Sequence, residues 1–425
     1  MRYDELSESA LKEEYAKVKA EFEAVKALGL KLDMSRGKPE ATQATLSVDM
    51  LSILRDREDL VLGNGTDTAN YGIMDGIPEA KQLIADVVGA RPEQVSVWNN
   101  ASLEIMFNLV NYGYVHGIGG AEPWCRQSGL KWLCPVPGYD RHFAITEYFG
   151  FEMINLPLGP EGPDMDKVEE LVKDPSIKGI WCVPLYSNPG GVCYSDETVR
   201  RFAALKPAAP DFRIFWDNAY LVHHLYPENP AKLLNILEEA PEYGNDDLVY
   251  EFFSTSKITV AGDGIGALIT SEANLAEFRK TVGLMTVGFD KINMLRHVRF
   301  LKNAENLRAH MEKHAAILRP KFEAVEETLA AELGSLGIAE WTLPRGGYFI
   351  SLNVLPGLAK RTVALCREAG VVLTGAGATY PYKNDPEDRN IRIAPTYPSP
   401  ENLAKACKVL TLCVRLASLE KMIGA

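Results

Sequence analysis

Several short apolar runs in this chain stop abruptly at a polar residue, and that pattern constrains the fold more than any other feature. Leu248 to Phe253 reads as a buried strand that runs out through Ser254-Thr255-Ser256 to Lys257. Phe212 to Trp216 ends on Asp217, with Asn218-Ala219-Tyr220 behind it, and Gly179 to Pro184 leads into Ser187-Asn188-Pro189-Gly190-Gly191. Val95 to Trp98, Lys131 to Val136 and Ile265 to Thr270 have the same character. Strands alternating with helical stretches build a mostly parallel sheet covered on both faces, because each apolar face needs a cover. Open α/β sheets gather ligand groups just past the strand ends. Asn188, Asp217 and Lys257, distant in sequence, are therefore candidates for one site.

With 425 residues, 46% of them hydrophobic, the chain can bury a large core and divides into two or three structural units. A net charge of -12 without any basic stripe argues against a nucleic-acid partner. The longest apolar runs fall far short of the roughly 20 residues that span a bilayer. Met1-Arg2-Tyr3-Asp4-Glu5 opens into a charged helix with no apolar signal segment, so no membrane partner and a cytoplasmic location are expected. Seven cysteines, with no C-x-x-C pair and mostly in apolar runs, read as buried reduced thiols. His310 and His314 are four apart but lack a third ligand, so no metal is expected.

Along the chain, Leu6 to Leu28 predicts a surface helix with one apolar stripe, and Pro78 can start a helix because its missing N–H is not needed there. A second helix is expected from Leu103 onward. A long helical region is expected from Lys291 to Leu333, kinked at Pro320. Strands at Pro344–Ile350 and Val371–Leu373, closed by a helix from Pro400, suggest a smaller α/β unit.

A lysine after a strand is ordinarily a solvated loop residue. What changes the reading is its company: Asn-Pro-Gly-Gly at 188–191, Asp-x-x-Tyr at 217–220, Ser-x-Ser-Lys at 254–257 and Arg392 in Ile391-Arg392-Ile393-Ala394, in that order. This set resembles the fold-type I pyridoxal phosphate (PLP) aminotransferases. Ser35-Arg36-Gly37-Lys38-Pro39 and the stretch Asp290 to His297 narrow the resemblance to the divergent aspartate aminotransferase subgroup related to the PLP domain of MocR-type regulators. It covers nearly the whole chain. The fold it implies is a large domain, residues 46–295, with a mostly parallel seven-stranded sheet between helices. Residues 1–45 would join a smaller α/β domain completed by 296–425.

The resemblance also assigns roles. Lys257 would carry the cofactor and shuttle a proton, a task that needs an amine. Asp217 would hold the ring nitrogen protonated, while Tyr220 and Asn188 bond its phenolic oxygen. Tyr139 would stack on the ring, with Tyr148 as the other aromatic in reach. Asn100, Ala101 and Ser102 would form the phosphate cup at a helix N-terminus, with Ser254 and Ser256 beside it. Tyr71 would reach the phosphate of a neighbouring subunit, making the protein a homodimer. Gly37 would lend backbone to the substrate pocket, and Arg392 would clamp the substrate α-carboxylate as a planar fork.

Many relatives place an arginine in the glycine-rich turn after the lysine, where this chain has Gly264. The implied reaction is amino transfer from L-aspartate to 2-oxoglutarate. Lys291, Arg36, Lys38 and Arg296 are candidates for the distal carboxylate. The same motifs would serve an aromatic, alanine or aminoadipate-like donor, or a PLP-dependent lyase. A PLP-sensing regulator is disfavoured, since the fold starts at Leu6 and the acidic charge repels DNA.

Overall fold

The computed structural model describes residues 2–425. In the larger unit the strands are β2 (Val95–Val97), β3 (Lys131–Val136), β4 (Glu152–Gly159), β5 (Gly162–Pro163), β6 (Ile177–Cys182), β7 (Arg213–Asp217), β8 (Val249–Ser254) and β9 (Gly266–Ile269). The short β1 (Leu32–Asp33) precedes them, and β10 (Ala339–Trp341), β11 (Ile350–Val354), β12 (Val371–Val372) and β13 (Asn390–Ile393) follow.

One sheet runs β2-β9-β8-β7-β6-β3-β4-β5. The central pairs β4/β3, β3/β6, β6/β7 and β7/β8 are parallel, so five neighbouring strands present their carboxyl ends on one edge. Only β9 and the two-residue β5 run against their neighbours. Seven strands form the expected mostly parallel sheet, and β5 adds a short return on β4. Every residue of β6, β7 and β8 is buried, as strands covered on both faces must be.

The smaller unit has two sheets, β10-β11-β13 antiparallel and β1 parallel to β12. Its core joins Tyr3, Val18 and Phe22 of the N-terminal segment to the C-terminal helix Pro400–Ile423, through residues such as Leu410 and Val414. The other core gathers around β2 to β9. Helix Ala304–Leu333 spans both: Leu307 and Met311 belong to the sheet core, Leu318 to Leu333 to the other.

Three expectations from the sequence shift. The N-terminal helix starts at Glu8, one residue after Ser7, whose hydroxyl accepts from the Ala10 N–H and caps it. The helical region after Asp290 is two helices, Lys291–Leu301 and Ala304–Leu333. They part at Lys302, in a left-handed conformation with φ of 64°, and Asn303, whose side chain caps the second helix; the helix continues through Pro320. Residues 344–349 are not a strand. Gly346 and Gly347 turn the chain tightly against Tyr186, and beyond an isolated bridge between Gly346 and His224 the ladder begins at Ile350.

Candidate active site

The parallel strands deliver their ends to one cavity of about 660 Å³, lined by Tyr139 after β3, Asn188 after β6, Asp217 at the end of β7 with Tyr220 beyond it, and Ser254 at the end of β8 with Ser256 and Lys257 beyond it. The cavity therefore lies at the edge that the sheet's topology dictates. Ala101, Ser102, Gly37 and Arg392 complete it from other elements.

Lys257 is half-buried, with Nζ 5.1 Å from the centre of the Tyr220 ring and 5.8 Å from that of Tyr348. Burial pushes the Lys257 ammonium below the ordinary lysine value, against the pull of the Asp217 carboxylate. Such an amine gives up its proton more readily than a surface lysine. Behind it lies His223, 4% exposed and packed edge-on against Tyr220 and Tyr348. Both its ring nitrogens are sealed and unpaired, and burial followed by repulsion from Lys257 holds its pKa far down, so it packs as a neutral ring.

Asp217 is 5% exposed. His142 Nε2 lies 3.0 Å from its Oδ2, and the His142 ring stacks on Trp181 with centroids 4.5 Å apart. Oδ1 is buried with no partner. A sealed, unpaired carboxylate oxygen is costly unless a ligand donor meets it. Tyr220 is buried, and burial, then Tyr139 and Asp217, raise its pKa well above the ordinary tyrosine value, keeping it a phenol that can donate. Tyr139 is pushed up to about 12, first by burial and then by Asp217 and Asp140.

The opposite wall suits a phosphate. Helix Ser102–His116 starts after Ala101, which has no side chain to cap it, so the first N–H groups are left for an anion. The Ser254 and Ser256 hydroxyls are 2.6 Å apart, and Ser256 Oγ donates to the Asn100 carbonyl at 2.9 Å. The glycine-rich turn packs directly on this wall. A Cβ at Gly266 would stand 2.8 Å from the Ser102 nitrogen, and one at Gly264 would stand 3.1 Å from Ser256. The orphaned Asp217 oxygen, the uncapped helix start and Lys257 between them fit pyridoxal phosphate.

Arg392, on β13, is 8% exposed and lies over the Phe349 ring at 4.8 Å. Its Nη1 donates to Asp140 Oδ1 at 2.9 Å and to Asn188 Oδ1 at 3.3 Å, and Nη2 donates to Thr374 Oγ1 at 3.3 Å. Gly37 packs against the same Phe349 ring, where a Cβ would collide with it.

Asn100, expected in the phosphate cup, does not line the cavity and contributes the carbonyl that Ser256 uses. Tyr71, expected to reach a neighbouring subunit's phosphate, is 86% exposed and outside the cavity of its own chain. Of the two aromatic candidates Tyr139 lines the cavity, whereas Tyr148 is 74% exposed outside it. Arg36 and Lys38 line the cavity, but Arg296 is taken by Asp263 at 2.9 Å and Lys291 lies outside the lining. His142, Asp140 and Arg141 were not foreseen. The run Gly138-Tyr139-Asp140-Arg141-His142 held the signal, since residues at a helix start after a strand face the same edge as the strand end.

His310 and His314 lie 3.1 Å apart in a buried hydrogen-bonded chain that continues through Gln43 to Tyr348. Among the described residues no group of three or more His, Cys, Asp or Glu is placed to hold a metal ion.

The family model for aspartate amino-transferase matches residues 6–425. An aspartate aminotransferase of Corynebacterium glutamicum is 46% identical over 95% of this chain and 93% of its own. The crystal structure of an aspartate transaminase from the same species superposes with a TM-score of 0.96 at 43% identity, covering 99% of both chains. A regulator of Bacillus subtilis, the uncharacterized HTH-type YdfD, is 21% identical over 68% of this chain and 57% of its own, a distant relation of the MocR type. The chain belongs to the aspartate amino-transferase family.

Proposed function

We propose that the protein is a PLP-dependent transaminase that moves the amino group of L-aspartate to 2-oxoglutarate, giving oxaloacetate and L-glutamate. The observation that carries this reading is that Lys257, Asp217 with its orphaned oxygen and Arg392 line one cavity. The similarity to the C. glutamicum enzymes supports the choice of aspartate.

PLP, when bound, supplies an electron-withdrawing ring that makes the substrate Cα proton labile. Asp217 Oδ1 would accept a hydrogen bond from the ring nitrogen and favour its protonated form, while His142 fixes the other carboxylate oxygen. Tyr220 and Asn188 would donate to the phenolic oxygen. The N–H groups at Ser102, with Ser254 and Ser256, would hold the phosphate. Lys257 Nζ would carry the substrate's Cα proton, a role its lowered pKa suits. Arg392 binds the α-carboxylate. The lining cations Arg36, Lys38 and Arg141 supply positive charge for the distal carboxylate, although Lys38 Nζ already lies 3.9 Å over the Tyr397 ring.

A homodimer belongs to the same reading. Tyr71, Met74, Leu284, Met285 and Val287 are exposed apolar residues on adjoining segments, joined by the Gly72 N–H to Val287 carbonyl bond of 3.1 Å. A patch of this kind marks an interface, through which Tyr71 would serve a second copy's cavity.

The test is to mix the PLP form with L-aspartate, L-alanine or L-phenylalanine and follow the visible spectrum. Rapid loss of the cofactor band with aspartate alone supports the assignment. A response only to another amino acid overturns the substrate, and a protein that gains no visible band with PLP overturns the whole reading.

A further inference from the structure

Arg392 is already paired in the free chain. Its Nε is buried and has no partner, whereas both terminal nitrogens are engaged: Nη1 donates to Asp140 Oδ1 at 2.9 Å and to Asn188 Oδ1 at 3.3 Å, and Nη2 to Thr374 Oγ1 at 3.3 Å. Asp140 lines the same cavity and is the first residue of helix Asp140–Tyr148. The two side chains differ in burial: Arg392 is 8% exposed and Asp140 33%. A buried guanidinium without a counter-ion is costly, whereas a half-exposed carboxylate can swing into water cheaply.

We propose that Asp140 is a displaceable internal counter-ion that pairs with Arg392 Nη1 in the substrate-free enzyme and is expelled by the incoming α-carboxylate. This rests on Arg392 being the α-carboxylate site. Asp140 thereby sets how strongly any carboxylate must bind to enter. Each ligand meets an arginine whose binding-competent state is only a fraction of the population, and its apparent affinity falls by that fraction. The factor is the same for every carboxylate, so it is a ligand that also engages a second cation that keeps useful affinity after the exchange. It acts equally on amino donor and oxo-acid acceptor, which share the α-carboxylate.

The experiment uses PLP-loaded enzyme and two unreactive probes, acetate and maleate, whose dissociation constants are read from the change in visible absorbance. KM and kcat for L-aspartate and 2-oxoglutarate are measured alongside. Asp140→Asn is expected to tighten both probes and lower both KM values roughly tenfold, with kcat little changed. Asp140→Ser, which keeps a small polar residue at the helix start, must reproduce the tightening. Arg392→Gln is expected to weaken both probes strongly, and adding Asp140→Asn to it should change nothing further, because the two residues act as one unit. Unchanged or weaker probe binding in the Asp140 variants, with Arg392→Gln still losing it, overturns the counter-ion role and leaves the Arg392 site standing. Probe binding that survives Arg392→Gln overturns the site itself.

Discussion

The two halves of the cavity are built from different materials. The half toward the sheet is made of strand ends and backbone: Asp217 with one oxygen fixed and one free, an uncapped helix start, and glycines that let chain segments touch. The half toward Arg392 is made of long charged side chains, several of them exposed, and its central arginine is already paired to Asp140. The first half is preorganised, with polar groups left unpaired for one ligand of fixed shape. The second must exchange partners at every turnover. A cofactor that stays and a substrate that leaves call for this division, since preorganisation favours retention and an internal competitor favours release.

The sharpest way to break the comparison is Lys257→Ala. The substitution removes the proton carrier but none of the phosphate wall, so turnover should fall by about 10⁴-fold or more while PLP still binds, as equilibrium dialysis would show. Loss of cofactor binding with turnover would mean that the wall is not preorganised.

Behind the fixed half, Glu251 in β8 is 2% exposed, accepts from Asn218 Nδ2 at 2.7 Å, and is raised by burial to about 7. Between 4.5 and about 7 the folded chain keeps a proton that the unfolded chain has lost, so this group's contribution to stability falls as pH rises through that window. Glu251→Gln should make denaturant unfolding less pH-dependent and stabilise the protein above pH 7 by on the order of 3 kcal/mol. An unaltered pH profile would remove the burial argument.

The backbone contact of the phosphate wall is open to a steric test. Gly266→Ala places a Cβ 2.8 Å from the Ser102 nitrogen, and overpacking of this kind costs about 1–3 kcal/mol. PLP affinity should drop about 10- to 100-fold, while KM for aspartate at saturating cofactor stays near the parent value. Equal damage to both would show that the halves are not separate. The smallest effect is expected for Tyr148→Ala. That side chain is 74% exposed outside the cavity, so cofactor affinity and turnover should stay within experimental error.

The fixed half was the more legible in sequence. Asp217 ends a buried strand, and Asn188 and Lys257 lie in the turns that leave two others, so a local pattern placed them on one edge. Ser254 and Ser256 follow from the same run. His142 and Asp140 escaped because they lie within a helix, and only the fold brings them to Asp217 and Arg392. Arg296 misled for the opposite reason: a cation near the right stretch was already claimed by Asp263, a pairing that no local pattern reveals. The helix break at Lys302 was hidden by Pro320, the louder breaker, although Asn303 is the residue that caps. Tyr71 is legible only with a second copy in view, because its own chain leaves it on the surface.

A crystal structure of the PLP-loaded enzyme with maleate would test both halves at once. The account predicts Asp217 Oδ1 within hydrogen-bond distance of the ring nitrogen on an unmoved β7, with a maleate carboxylate on Arg392 and Asp140 turned to solvent. A ring nitrogen away from Asp217, or maleate bound with the Asp140–Arg392 pair intact, would contradict it.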